Sequence, residues 1–539
     1  MTEFIVVPPA RSEPSSVAGV VLQQDNWNDY SFQTLYHLYV FTDEFSGGIG
    51  PVKILRRGQT KDDSIQLAQG KLEPLSEEYC SLGQSLDYYE RLAELPGDLR
   101  REILAHLRDA LAFPDHAETF FSEPGWKTSV LRDIEWDSFR RDASVLLERD
   151  YTRVARLGLE MHFQVAGWVN PLQLRFSAPG GWQFYVASGS GKLPERIAVL
   201  TGRNGSGKST LLARLARVLH ASQRDRSREE LRALGTIEPG GIGFTRVLNI
   251  AYSAFDAFQI PGLDEKERKQ IADDLKRGTG RYHFCGLRDI VRELEEGLNA
   301  ADDSQMASTG TSARDRQRRT LLKSIDELAA EFVRTIERIR KAGRQELFDA
   351  AVKILASDPS FQDLGPNPTA RISEAPEDIF ALWSTGHKIV MHATASTVAF
   401  TEAKSIVLMD EPESHLHPPL LAAFMHALRV ILEKNDAFAV IATHSPVIVQ
   451  ETLGRHVSVI RRSGTETTIH IPRIETYGES IGEITDEVFG LNSDATDFHK
   501  ILKGLVQSGM TLEGIEGLFE RGLSLQARAY VMSELARKV

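Results

Sequence analysis

Gly202-Arg203-Asn204-Gly205-Ser206-Gly207-Lys208-Ser209-Thr210 is the stretch whose reading decides the fold. It fits the phosphate-loop pattern G-x-x-x-x-G-K-[ST], and its flanks fit as well. Ile197-Ala198-Val199-Leu200 leads in as an apolar strand, and Leu211-Leu212-Ala213-Arg214-Leu215 leads out as a helix. In such a loop, glycines let backbone N–H groups curl around a phosphate while the helix points its positive end at the anion. Lys208 is expected to reach the β- and γ-phosphates, and the Ser209 hydroxyl to ligate Mg²⁺. Gly202, Asn204, Gly205, Gly207 and Thr210 complete the expected cradle for ATP. The competing reading, a glycine-rich turn with a chance lysine, does not account for a strand and a helix in the right places.

Two further segments belong with this loop. Ile406-Val407-Leu408-Met409-Asp410-Glu411 is an apolar strand ending in adjacent acids. Burying two carboxylates is costly unless a cation sits beside them, and a phosphate loop brings one. Asp410 is expected in the Mg²⁺ shell, and Glu411 is expected to orient and polarise the attacking water. Thr443-His444-Ser445-Pro446 ends the next predicted strand, where His444 is placed to hydrogen-bond the γ-phosphate.

Asp410-Glu411-Pro412-Glu413-Ser414-His415-Leu416-His417-Pro418, followed by Thr443-His444-Ser445, resembles the ABC-type ATPases of the SMC/RecF/OLD branch. Those carry D-E-P-E-x-x-L-H-P where transporter ATPases carry D-E-P-T-x-x-L-D. The resemblance spans about residues 163–460. It implies two heads that sandwich ATP, with a signature loop reading the γ-phosphate across the dimer. Trp383-Ser384-Thr385-Gly386-His387-Lys388 is the best match to that loop, so Ser384, Thr385 and Gly386 are candidate nucleotide contacts. It departs from the usual L-S-G-G-[QE], and Ser384 also reads as an ordinary helix N-cap. Tyr252-Ser253-Ala254-Phe255-Asp256 stands where the family has its glutamine loop, with Gln259 slightly later.

The 539 residues carry 42% hydrophobic and 26% charged side chains, as expected of an ordinary globular chain with more than one domain. A net charge of −12 argues against a general nucleic-acid coat. Two cysteines, Cys80 and Cys285, suggest neither a disulfide framework nor a metal motif. No apolar run reaches the roughly 18 residues of a membrane span, and the N-terminus lacks a basic signal-peptide start. The expectation is a cytoplasmic protein with no membrane contact.

The predicted fold class is α/β: an ABC-type P-loop head with a short coiled-coil-like helical insertion, an α+β N-terminal region and a helical tail. Residues 1–160 read as an accessory domain of unstated role. In it Tyr36, Leu38 and Val40 alternate as a strand, and Leu99, Ile103, Leu104, Leu107 and Leu111 mark a helix face. Residues 161–256 form the first lobe of the head, with Leu172, Leu174 and Phe176 and then Trp182 to Val186 as strands. Residues 257–375 form the insertion, where Ile325, Leu328, Phe332, Ile336 and Ile339 give the seam of a paired helix. Ala301 to Ser312 reads as the tip between two helical arms, with Gly343 interrupting the second. Residues 376–472 form the second lobe, closing on a hairpin near His456 to Pro472. Residues 473–539 form the tail, a candidate partner-docking element.

Only 95 residues follow His444, and the acids Glu483, Asp486 and Glu487 read as helix-capping or solvated. No nuclease pattern is visible. A compact head with a stubby insertion and small tail resembles the ATPase subunits of Septu-type bacterial anti-phage defence. That likeness implies a homodimer or higher oligomer and a separately encoded HNH nuclease as partner. Between Thr311 and Gln345, ten Lys/Arg face five Asp/Glu, a candidate DNA or RNA contact or else a solvated helix face. The alternative reading is an SMC/RecF-like DNA-repair ATPase; a transporter ATPase is disfavoured by L-H-P in place of L-D.

Overall fold

The computed structural model describes residues 2–10, 14, 18–27, 29–151, 159–176, 193–254, 256–297, 315–317, 319–364, 368–464, 466–489 and 497–537. The segments read as Trp182 to Val186 and as the Ala301–Ser312 tip lie outside them.

The strand runs at Ile197, Ile406 and Phe438 contain scarcely a polar residue because both faces of their sheet are covered. They form β9 (Ile197–Gly202), β13 (Ile406–Asp410) and β14 (Phe438–Ala442). With β11 (Val247–Ala251), β12 (Tyr282–Gly286), β15 (Val457–Ser463) and β16 (Glu466–His470), they make a seven-stranded sheet ordered β12-β11-β13-β14-β9-β15-β16. All neighbours are parallel except β15 and β16, which form the expected antiparallel hairpin. Side chains alternate between two cores. Val199, Met409 and Ile441 face the helices Gln345–Leu355, Thr385–Phe400 and Pro418–Asn435. Leu200, Leu408 and Val440 face the helix Lys208–His220 and a small antiparallel sheet of β7 (Glu160–Gln164), β8 (Leu172–Arg175) and β10 (Thr236–Glu238). Every residue from Ile389 to Ala399 is buried, so the helix Thr385–Phe400 runs through the interior.

The insertion differs from the reading of two coiled-coil-like helical arms. Its strand β12 joins the head as the edge of the main sheet, and its helix Ile325–Lys341 lies on that sheet's flank. Leu328, Phe332, Ile336 and Ile339 are buried there with Phe380 and Trp383. A seam with 3–4 spacing specifies a buried face but not what covers it, and here the head covers it. Gly343 interrupts the helical stretch as read, at φ 66° between this helix and Gln345–Leu355.

The N-terminal region builds a second sheet, ordered β5-β1-β2-β3-β4-β6, from β1 (Phe4–Val7), β2 (Gly19–Gln24), β3 (Leu35–Phe41), β4 (Ser46–Arg56), β5 (Gly70–Lys71) and β6 (Tyr79–Gly83). Its core runs from Phe4 to Leu147; Trp126 lies inside, 6.0 Å edge-on to Trp136. Buried ion pairs join this unit to the head: Arg91–Asp274 at 2.8 Å, Glu90–Arg246 at 2.6 Å and Asp87–Arg281 at 2.9 Å. The tail holds the helices Asp497–Gln507, Leu512–Glu516 and Leu525–Ala536 around Leu502, Val506, Ile515 and Val531. No helix among the described residues is long and apolar enough to cross a membrane.

Candidate functional site

The strand order brings the motif ends together. β14 lies between β9 and β13, so the phosphate loop, the acids and the histidine emerge side by side at the C-terminal edge of three parallel strands, the usual place for a ligand in an open α/β sheet. Gly202 ends β9 against β15, and a Cβ there would fall 2.3 Å from the Ile460 carbonyl oxygen, so no other residue fits. Gly205 and Gly207 shape the turn, Asn204 is exposed at its crest, and Thr210 lies half-buried in the first turn of the following helix.

Lys208 is buried, and its Nζ donates to the Gly202 carbonyl at 3.3 Å and stands 2.6 Å from Nε2 of His444. Burial lowers its pKa against the opposing pull of Glu411, Asp410 and Glu413. The Ser209 hydroxyl donates to Oδ1 of Asp410 at 3.0 Å. Burial pushes the Asp410 carboxyl up to about 7, and the Glu411 charge adds to the effect while Ser209 opposes it. A hydroxyl beside a desolvated carboxylate is an oxygen donor set suited to a hard divalent cation, so these residues fit Mg²⁺.

Glu411 sits at φ 45°, a left-handed conformation that a glutamate seldom adopts without constraint. Its backbone N–H donates to the Ala442 carbonyl at 2.9 Å, and its Oε1 lies 3.1 Å from Nε2 of His444. Burial and the Lys208 charge hold the His444 pKa below its ordinary value, with Glu411 opposing. A neutral imidazole nitrogen either accepts or donates, so Nε2 serves Lys208 or Glu411 but not both at once.

Two residues went unassigned in the sequence. Glu413 accepts from the Thr443 hydroxyl at 2.7 Å and from the His444 backbone N–H, thereby fixing the strand end that carries His444. Burial raises its pKa, and its second oxygen has no hydrogen-bond partner among the described residues. The signal for it was present in the Asp410-Glu411-Pro412-Glu413 run. Trp168 flanks the phosphate loop, its ring 3.7 Å from where a Gly207 Cβ would stand; nothing in its local sequence marked it.

Ser384, Thr385 and Gly386 open the helix Thr385–Phe400, and Ser384 caps it by accepting from the His387 N–H at 3.3 Å. The N-cap reading of Ser384 therefore holds, and Ser384 and Thr385 are exposed. A Cβ on Gly386 would come within 2.8 Å of the His415 carbonyl oxygen, so this loop lies against the turn that follows the paired acids. Tyr252 follows β11, and its hydroxyl lies 3.1 Å from Sγ of Cys285 on β12.

The strand order and the loop geometry define a mixed α/β P-loop ATPase fold. Comparison with known proteins adds three findings. Residues 197–450 match the family described as "AAA domain, putative AbiEii toxin, Type IV TA system". Over 557 aligned residues the chain is 29% identical to Protein ea59 of Escherichia phage lambda, covering 100% of this chain and 99% of that protein. Among solved structures it is similar to the SMC head domain from Thermotoga maritima (12% identity, 59% of this chain and 100% of that one, TM-score 0.26). It is also similar to the ADP conformation of an ATP-binding cassette of an ABC transporter (10% identity, 60% and 94%, TM-score 0.26). These loose superpositions neither extend nor alter the fold read from the strand order.

Proposed function

We propose that this chain is an ATP-hydrolysing regulatory subunit whose heads pair around nucleotide and control a separately encoded HNH-type nuclease in bacterial anti-phage defence. The observation that carries the ATPase part is the convergence of Lys208, Ser209, Asp410, Glu411 and His444 at one sheet edge. The loop from Gly202 to Thr210 takes the phosphates, and Trp168 offers a ring beside it for the base. Ser209 and Asp410 would hold Mg²⁺, which when bound would neutralise phosphate charge. Lys208 is drawn from His444 to the phosphates, and that frees Nε2 of His444. Glu411 orients the attacking water and takes its proton. Ser384, Thr385 and Gly386 of a second head close over the nucleotide, as the exposure of Ser384 and Thr385 at a helix N-terminus allows.

The defence setting is supported by the resemblance of Asp410–Pro418 and Thr443–Ser445 to the SMC/RecF/OLD branch. It is also supported by a family description that names a toxin of a toxin–antitoxin system. Expression of the chain with its genomic neighbours, followed by native mass measurement and a DNA-cleavage assay with and without ATP, tests the reading. A copurifying nuclease whose cutting changes with ATP or with Glu411→Gln upholds it. A partnerless chain that dimerises and binds DNA only with ATP replaces it with the repair-type reading. At the site itself, Glu411→Gln is expected to trap ATP in a closed dimer and lower turnover at least about a hundredfold. Turnover at the wild-type rate removes Glu411 as the base.

A further inference from the structure

The helix Ile325–Lys341 buries one face, and Arg334, Arg338 and Lys341, spaced four and three residues apart, share another. Seven residues of helix set Arg334 about 10 Å from Lys341 along the axis. The three line a cleft of about 980 Å³ bounded by this helix, the edge strand β12 and the N-terminal unit at Arg149 and Tyr151. Ten arginines and lysines line it against six carboxylates, but Arg246, Lys276, Arg277 and Arg288 pair with Glu90, Glu295, Asp274 and Glu293 outside the lining.

Most of those carboxylates are already engaged. Glu94 pairs with Arg149 at 2.5 Å, Glu331 with Lys323 at 2.5 Å, and Glu402 with Arg344. Asp289 caps a helix by accepting from the Arg292 N–H, and Glu327 closes the capping box of the lining helix itself. Glu337 is the carboxylate that remains. Among the described residues no carboxylate lies within ion-pair distance of Arg334, Arg338 or Lys341.

Part of this cationic charge has a structural task. Arg338 donates to the Gly278 carbonyl at 2.7 Å and lies 4.9 Å over the Phe400 ring, while Arg344 takes up the Val398 and Thr401 carbonyls. Burial, reinforced by the Arg246 charge, lowers the Arg338 pKa to about 10, with the Glu94 and Glu90 charges opposing. No such task accounts for Arg334 and Lys341, which are exposed. The rings of Tyr151 and Phe284 also border the cleft. Cations in a row with aromatic surface beside them suit phosphates joined to bases.

We propose that this cleft binds a phosphate-bearing ligand, a free nucleotide or the backbone of a nucleic-acid single strand, with Arg334, Arg338 and Lys341 holding its phosphates. The site is separate from the phosphate loop and does not depend on a nuclease partner. Two probes distinguish the sources of the phosphate. The first is a fluorescein-labelled 15-nucleotide DNA of mixed sequence, read by anisotropy on the full chain. The second is a fluorescent ATP analogue on the Lys208→Ala chain, where the phosphate loop no longer competes. Each is measured against Arg334→Glu/Lys341→Glu and the milder Arg334→Gln/Lys341→Gln, with unchanged ATP turnover in the chain that keeps Lys208, and an unchanged thermal midpoint in the Lys208→Ala chain, as the checks on folding.

The expected result is at least about tenfold weaker binding on charge reversal, with a smaller loss for the glutamine pair. For the strand, the slope of log affinity against log salt should also fall by about 1.4 for two lost phosphate contacts. Loss with the oligonucleotide alone identifies a strand, and loss with the analogue alone identifies a nucleotide. Binding that both double variants retain at wild-type strength, or no binding of either probe to the unsubstituted residues, overturns the proposal.

Discussion

The nucleotide site and the seam between the N-terminal unit and the head are both built from buried charge, but they settle it in opposite ways. At the seam each charge has its counterpart: Arg91 forks onto Asp274, Arg246 holds Glu90 and Arg281 holds Asp87. At the site three carboxylates, Asp410, Glu411 and Glu413, crowd a single buried lysine, and burial leaves Asp410 near pKa 7. A network of paired charges holds two units in one arrangement, whereas crowded like charges carry a cost that an arriving cation and phosphate can relieve. The contrast separates charge that builds from charge that waits for a ligand.

The largest effect expected from this contrast is at Asp410. Asp410→Asn should lower ATP turnover about a hundredfold or more, since charge stabilisation at the metal is worth several kcal/mol. It should leave the thermal midpoint of the nucleotide-free chain unchanged or raised, because it deletes a desolvated charge. A chain that both turns over ATP normally and melts earlier would place Asp410 with the structural pairs. At the seam the opposite pattern is expected. Asp274→Ala strands the Arg91 guanidinium in the interior and should cost about 3–5 kcal/mol in denaturant unfolding of the full chain. ATP affinity of the folded fraction should stay as it was. A loss of affinity with little loss of stability would mean that the seam serves the site directly.

The two regions were also unequally legible. The phosphate loop, the paired acids and His444 were readable because each needs a fixed residue at a fixed spacing beside a strand. The strands themselves were readable because burial on both faces leaves apolar runs. β12 was hidden, although all five of its residues are buried. Its His283 stacks on Phe400 at 4.1 Å and bonds Arg246, a polar residue made tolerable by partners far away in sequence. The seam was hidden for the same reason: Glu90 and Arg246 are 156 residues apart, and neither looks unusual alone. Trp168 depends on where other segments arrive, so its place at the site emerges only in three dimensions.

A smaller effect sharpens the comparison because it has a control within the molecule. Asp109, buried in the N-terminal unit, accepts from the Tyr89 hydroxyl at 3.0 Å and has no cation within ion-pair distance among the described residues. Burial pushes its carboxyl up to about 7, like that of Asp410. Both folded pKa values lie above the ordinary carboxylate value, so both groups contribute stability that is complete below about pH 4 and lost as pH rises through 7. For Asp109 that loss should be roughly 2–4 kcal/mol by pH 8, seen as a shallower pH–stability curve in Asp109→Asn. Mg²⁺ with ATP should restore stability at pH 8 in the Asp109→Asn chain as fully as in the unsubstituted one. It should restore much less in Asp410→Asn, where the group that gains from the cation has been removed. Equal rescue in both variants would show that ligand binding does not draw on the buried charge of Asp410, and the distinction between waiting and building charge would fail at its best-defined residue.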